Sequence, residues 1–153
     1  MPTSTFRVVS SFTRPADTTA YATNDLVANS TTAASVTPMS FTLPLNALVT
    51  FASLSKSTNT ATNANFTLWL FGSSPTVTNG DNAAFAPTFS KALGSFQLDA
   101  TGSLFSDNAG SVNRFSNNPI PIGGTIYGLL LASAAYTPAS AEVFTVTVGG
   151  TIG

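Results

Sequence analysis

Asn65-Phe66-Thr67-Leu68-Trp69-Leu70-Phe71-Gly72 is the densest apolar stretch of the chain and holds its one tryptophan. Extended backbone sends successive side chains to opposite faces. Phe66, Leu68 and Leu70 therefore share one face, and Thr67, Trp69 and Phe71 share the other. A half-buried strand carries one polar face; from Leu68 onward this one has none. A core covers the first face, and the second needs a cover too: either another subunit or the chain's own long loop Ser73–Pro87.

Working outward, the same period of two recurs. Phe6, Val8 and Phe12 alternate with Arg7 and Val9, and Phe144, Val146 and Val148 alternate with Thr145 and Thr147. Asp25–Asn29, Val36–Leu43, Leu45–Leu54, Ser95–Leu98, Val112–Phe115 and Thr125–Leu131 read as further strands. Pro38 marks an edge or bulge, and Pro44 separates two strands, since proline cannot donate to a ladder. Asn79-Gly80 and Ser106-Asp107-Asn108-Ala109-Gly110 read as turns. No capped, periodic helix is present. Eight or nine short strands punctuated by Gly, Pro and Asn predict an all-β, single-domain β-sandwich, with a jelly roll favoured by the long, unequal loops. The expected layout is a flexible N-terminal arm over 1–5, the sandwich over 6–148 and a fraying tail over 149–153.

At 153 residues a chain can bury roughly 68–70% of its unfolded surface, so a core needs no disulfide or metal. Charged residues make up 7% of the sequence, against about 25% in an average globular domain. The net charge of −1 offers no basic footprint for nucleic acid. The longest near-continuous apolar run, Ile126–Ala135, is far shorter than the about 20 residues of a membrane helix. The N-terminus lacks a charged segment followed by an apolar one, so no signal peptide is expected.

With neither histidine nor cysteine, Ser–His–Asp and Cys–His catalysis are excluded and the commonest metal ligands are missing. No phosphate-binding glycine motif occurs; Gly123-Gly124 and Gly149-Gly150 lack that context. The six acids are Asp17, Asp25, Asp81, Asp99, Asp107 and Glu142, none adjacent, which argues against the carboxylate pair of a glycosidase. Asn79-Gly80-Asp81-Asn82 is rich in oxygen but departs from the calcium-loop pattern. It reads as a turn whose Asp81 and Asn82 cap backbone N–H groups. Arg14 and Asp17 sit close enough to pair around Pro15. Trp69, Tyr21, Tyr127 and Tyr136 offer either a sugar-stacking platform or ordinary packing, and packing is the reading of a tryptophan flanked by Leu and Phe. No catalytic residue, cofactor or metal is expected, and the chain reads as no enzyme.

Several segments resemble one known group. Phe12-Thr13-Arg14-Pro15-Ala16-Asp17-Thr18-Thr19-Ala20-Tyr21-Ala22, then Asp25–Ser30, Phe66–Phe71, Ser74–Phe85, Thr125–Leu131 and Tyr136–Ser140 are similar to the head decoration, or cement, proteins of tailed bacteriophages. The resemblance implies a β-sandwich or jelly-roll subunit, made in the host cytoplasm and located on the virion. Such subunits form homotrimers that bridge capsomers of the major capsid protein and reinforce the shell, without direct contact with nucleic acid or membrane. On that footing Pro2, Phe6, Arg14, Asp17, Tyr21 and Asp25 are expected to face the capsid. Trp69, Phe71 and Tyr127 are expected at the subunit interface. The competing expectation is a receptor- or glycan-binding sandwich of a tail or adhesion apparatus.

Overall fold

The computed structural model describes residues 4–102 and 111–153, with backbone alone for 111–120. Among the described residues seven strands are present: β1 (Ser4–Thr13), β2 (Leu26–Val27), β3 (Met39–Lys56), β4 (Asn65–Phe71), β5 (Ala92–Asp99), β6 (Ser111–Ala132) and β7 (Val143–Ile152). All pair antiparallel in one sheet ordered β1-β7-β3-β6-β4-β5, with β2 alongside β6. The only helical pieces among the described residues are the single 3-10 turns Ala33–Ser35 and Phe89–Lys91.

This one sheet makes a sandwich because its two longest strands bend. Met39–Leu43 of β3 pair with Gly128–Gly124 of β6, and pairing resumes at Ala47↔Ile122. Pro44, Leu45 and Asn46 thus stand opposite Gly123. Asn46 has φ 58° and Gly124 φ 86°, the left-handed values that a sharp corner needs and that Asn and Gly tolerate. Pro44 falls at the corner, where its missing N–H breaks no ladder. Beyond the corner, β3 pairs with β7, which pairs with β1; before it lie the second half of β6, β4 and β5. The two predicted strands on either side of Pro44 are therefore one. Val112–Phe115 and Thr125–Leu131 likewise belong to one strand, β6.

Ring contacts show that the sheet folds over, one half facing the other. β4 and β7 have two strands between them, which would put them about 14 Å apart in a flat sheet. Yet the Phe66 ring meets Phe144 edge-on at 5.4 Å, and Phe144 stacks on Phe12 at 5.5 Å. Between the layers lie Phe66, Leu68 and Leu70 of β4, Phe41 and Leu43 of β3, Phe96 and Leu98 of β5, and Val146 and Val148 of β7. The alternation read from β4 and β7 holds, with Phe66, Leu68 and Leu70 and Phe144, Val146 and Val148 facing the core. The sandwich follows, while a jelly-roll connectivity does not follow from this strand order.

The expected arm and tail need correcting. Ser4 and Thr5 already belong to β1, paired with Ile152 and Thr151. Residues 149–152 do not fray: they sit between β1 and β3, with Gly150 opposite both Phe6 and Val49. A Cβ on Gly150 would lie 1.8 Å from the Leu48 carbonyl oxygen, so glycine is what lets the strands approach there. The proposed turn at 106–110 lies outside the described residues.

Candidate functional site

The outer face of β4 is closed by the chain itself. Phe71, Leu26, Ala28 and Leu129 form a second buried cluster, with Trp69, Tyr127, Val36, Val77 and Phe85 packed against it. Val36 precedes β3, and Val77 and Phe85 come from the loop between β4 and β5. The Phe89 ring then meets Trp69 edge-on at 5.3 Å and Phe85 at 6.0 Å. Long loops provide the second cover. The expected subunit contact at Trp69, Phe71 and Tyr127 is thus corrected for Phe71, which is fully buried. Trp69 and Tyr127 keep only partial exposure. Trp69 emission should consequently keep its wavelength on dilution from high micromolar to nanomolar protein. A red shift on dilution would mean that another subunit completes the cover.

The covering loop is fastened by a charge. Asp81, sixty-seven residues from Arg14 in sequence, accepts from its guanidinium at 3.0 Å. It also accepts from the Tyr21 hydroxyl at 2.7 Å and the Ala28 N–H at 2.8 Å. Both members of the ion pair have fully buried side chains. Arg14 donates further to Tyr21 Oη at 2.9 Å, to the Asp17 carboxylate at 3.0 Å and to the Asp17 carbonyl. Backbone bonds continue the fastening, with Asp81 N–H to Ser30 O at 2.7 Å and Leu26 N–H to Ala83 O at 2.8 Å. Gly80 is seated so close to Thr31 that a Cβ would fall 2.0 Å from its carbonyl oxygen.

Electrostatics follow from this packing. Burial pushes the Asp81 carboxyl up, opposed by the Ala28 N–H, Tyr21 and Arg14. Burial would lower the Arg14 guanidinium, but its bonds to Tyr21 and Asp17 and the charge of Asp81 carry it above its ordinary value. Partly exposed Asp17 is held low by the Thr19 N–H and by Arg14.

A second knot lies beside the first, joined to it by the Arg14 N–H to Glu142 O bond at 3.1 Å and the Tyr21 N–H to Tyr136 O bond at 2.9 Å. Lys56 Nζ stands 3.5 Å from the Glu142 carboxylate with both side chains buried, and donates to the carbonyls of Thr58 and Thr60 at 3.0 and 2.7 Å. Tyr136 Oη donates to Glu142 at 2.8 Å, and Thr58 Oγ1 bonds the same carboxylate. Burial lowers the Lys56 ammonium, with Glu142 opposing.

The two buried phenols make stability fall in alkali. Burial, then the neighbouring carboxylate, raises Tyr21 and Tyr136 well above the ordinary tyrosine value near 10. Above pH 10 the unfolded chain loses these protons while the folded one keeps them, so stability declines as pH rises from there. Lys56 acts in the opposite sense just below its own unfolded value. Alkaline titration followed at 295 nm should show the phenolates of Tyr21 and Tyr136 appearing together with loss of the β-sheet circular dichroism. Their ionisation in a fully folded protein would contradict the buried arrangement.

The predicted capsid-facing residues scatter. Phe6 points into the core and Arg14 and Tyr21 are buried in the knot, which removes their side chains from any surface contact. Burial won because β1 places Phe6 inward and Asp81 draws the other two in. Asp17 is partly exposed, and Asp25 accepts from the Ala22 N–H at 2.7 Å; Pro2 lies outside the described residues. The Arg14–Asp17 pair is present as expected. Asp81 does cap a backbone N–H, but a distant one. The chain matches no protein-family model and no curated protein sequence.

Among the described residues no three of His, Cys, Asp and Glu come together. A cleft of about 580 Å³ sits at the sheet corner between Leu45–Leu48 and Pro121–Gly123, and its lining holds no acid, base or aromatic ring. The chain's distinctive construction is the fastened cover over β4 and β6.

Proposed function

We propose that the protein is a structural component of a phage virion that decorates the outer surface of the capsid. As an oligomer, a trimer by the resemblance, it would bridge capsomers of the major capsid protein and reinforce the shell through contact area, without a catalytic step. One observation carries this reading. The segments that resemble decoration proteins are scattered from Phe12 to Ser140 in sequence but converge in space. Arg14 and Tyr21 hold Asp81, Tyr21 N–H bonds Tyr136 O at 2.9 Å, and Asp81 N–H bonds Ser30 O. Phe71 pairs with Tyr127 in the sheet beneath them. The resemblance thus coincides with one physical unit, the fastened cover and the strands below it. An oligomer engaging several capsid sites at once turns modest contacts into tight binding.

Purified protein mixed with empty capsids of the phage that encodes it should co-sediment saturably and raise the temperature at which those capsids rupture. Failure to sediment, with retention on a glycan array that Trp69→Ala abolishes, would replace decoration by adhesion.

A further inference from the structure

Closing the β4 face inside the monomer leaves open where copies of the chain would meet. Two strands lie at the ends of the sheet order, and among the described residues each pairs on one side only: β1 with β7, and β5 with β4. Exposed edges carry unpaired N–H and C=O groups, and proteins ordinarily blunt them with charge, proline or bulges. Neither carries a proline, and each holds a single charge. β1 runs ten residues with Arg7 as its one charge, and that guanidinium lies back over the Phe51 ring at 5.9 Å. In β5, Leu70 pairs with Gly94 and Phe71 with Ala92, leaving Leu93 as a bulge; Gly94–Leu98 beyond it are regular and uncharged, and Asp99, the strand's one charge, ends it.

Four large apolar side chains among the described residues are exposed: Val9 at 59%, Leu45 at 79%, Phe89 at 49% and Leu93 at 37%. Three of the four sit at these two edges, Val9 on β1, Leu93 on β5 and Phe89 just before it. A ladder of donors and acceptors accompanied by apolar side chains and almost no charge is complementary to another strand edge of the same kind. The chain carries one such edge at each end of its sheet.

We propose that copies of this chain join head to tail, β1 of one copy pairing with β5 of the next. Such a contact uses two different surfaces, so it propagates until rotation closes a ring. It buries Val9, Leu93 and Phe89 and satisfies both open ladders. The inference rests on the oligomeric reading above and names its surface.

The test uses the full chain with Val9→Lys and Leu93→Lys, each replacing an exposed side chain. Sedimentation at tens of micromolar should give one closed oligomer for the wild type and monomers for each variant, with the association constant down at least ten-fold. An equimolar mixture of the two should form dimers and nothing larger, because one joint per pair remains intact. Unchanged far-ultraviolet circular dichroism and a cooperative thermal transition verify that both variants fold; Val9→Glu and Leu93→Glu should behave alike. An oligomer of unchanged size in both variants overturns the head-to-tail joint and leaves decoration standing. Loss of association in Val9→Lys alone overturns it in favour of β1 pairing with itself. A monomeric wild type overturns the joint and the oligomeric reading together.

Discussion

Replacing Asp81 with alanine is expected to lower stability by about 3–5 kcal/mol, because breaking a buried ion pair leaves the other charge uncompensated. Arg14 would keep Asp17, whose carboxylate is partly exposed, but its side chain would remain fully buried without its main counter-charge. Tyr21 and the Ala28 N–H would each lose an acceptor as well. For a chain of this size the melting temperature falls by about 2–4 °C per kcal/mol, so a drop on the order of 10 °C is expected. The cover over Phe71 and Trp69 hangs from the same carboxylate, so Trp69 emission in the variant should shift to the red before global unfolding. Arg14→Met together with Asp81→Ala should recover much of the loss, since an apolar pair leaves no buried charge; a double-mutant cycle reads that coupling. A loss below about 1 kcal/mol in Asp81→Ala would mean that the knot is not what fastens the loop.

Gly150→Ala is expected to cost at least about 4 kcal/mol, in the range that only a specific structural violation reaches. The added Cβ would fall 1.8 Å from Leu48 O, 2.9 Å from its carbon and 3.0 Å from Thr50 N. All three are backbone atoms inside a paired strand, so no rotamer change relieves the overlap. β3 carries one extra residue here, since Val49 pairs with Gly150 and Phe51 with Gly149. Thr50 bulges, and the strand presses towards β7 where the twin glycines leave room. Relief requires parting β7 from β3, which also loosens β1 on its far side. Chemical denaturation compared with Gly153→Ala, whose Cβ would meet nothing within 4 Å, isolates the effect. Equal stability of the two variants would place residues 149–152 outside the cooperative fold.

These two sites mark where local reading stops. Gly149-Gly150 at the end of a chain reads as fraying, because glycine disfavours a strand when judged alone. Its use here depends on a bulge a hundred residues earlier, at Thr50. Pro44 reads as the end of a strand by the same local logic, yet it occupies the corner of a continuous one. Asp81 reads as a turn residue, and nothing in its neighbours points to Arg14 or Tyr21. A weak signal did exist: in a chain with only eleven charged side chains, 5 basic and 6 acidic, each is a candidate for a specific partner. The exposed apolar residues at the edges were equally hidden, since exposure depends on which strands end the sheet.

What the amino-acid order determined by itself is the set of strands and their inward faces. Phe66, Leu68 and Leu70, or Phe144, Val146 and Val148, announce their common side through a period of two that any extended backbone imposes. It also dictated that Trp69 and Phe71 need a cover, because apolar area on that scale does not stay in water. Only the tertiary structure decided what supplies it. The loop carrying Val77 and Phe85 closes over β4, held by a carboxylate that reaches across sixty-seven residues. The reason is physical: side-chain alternation is set within a few bonds, whereas a cover is chosen by which distant groups pair once the sheet has folded over.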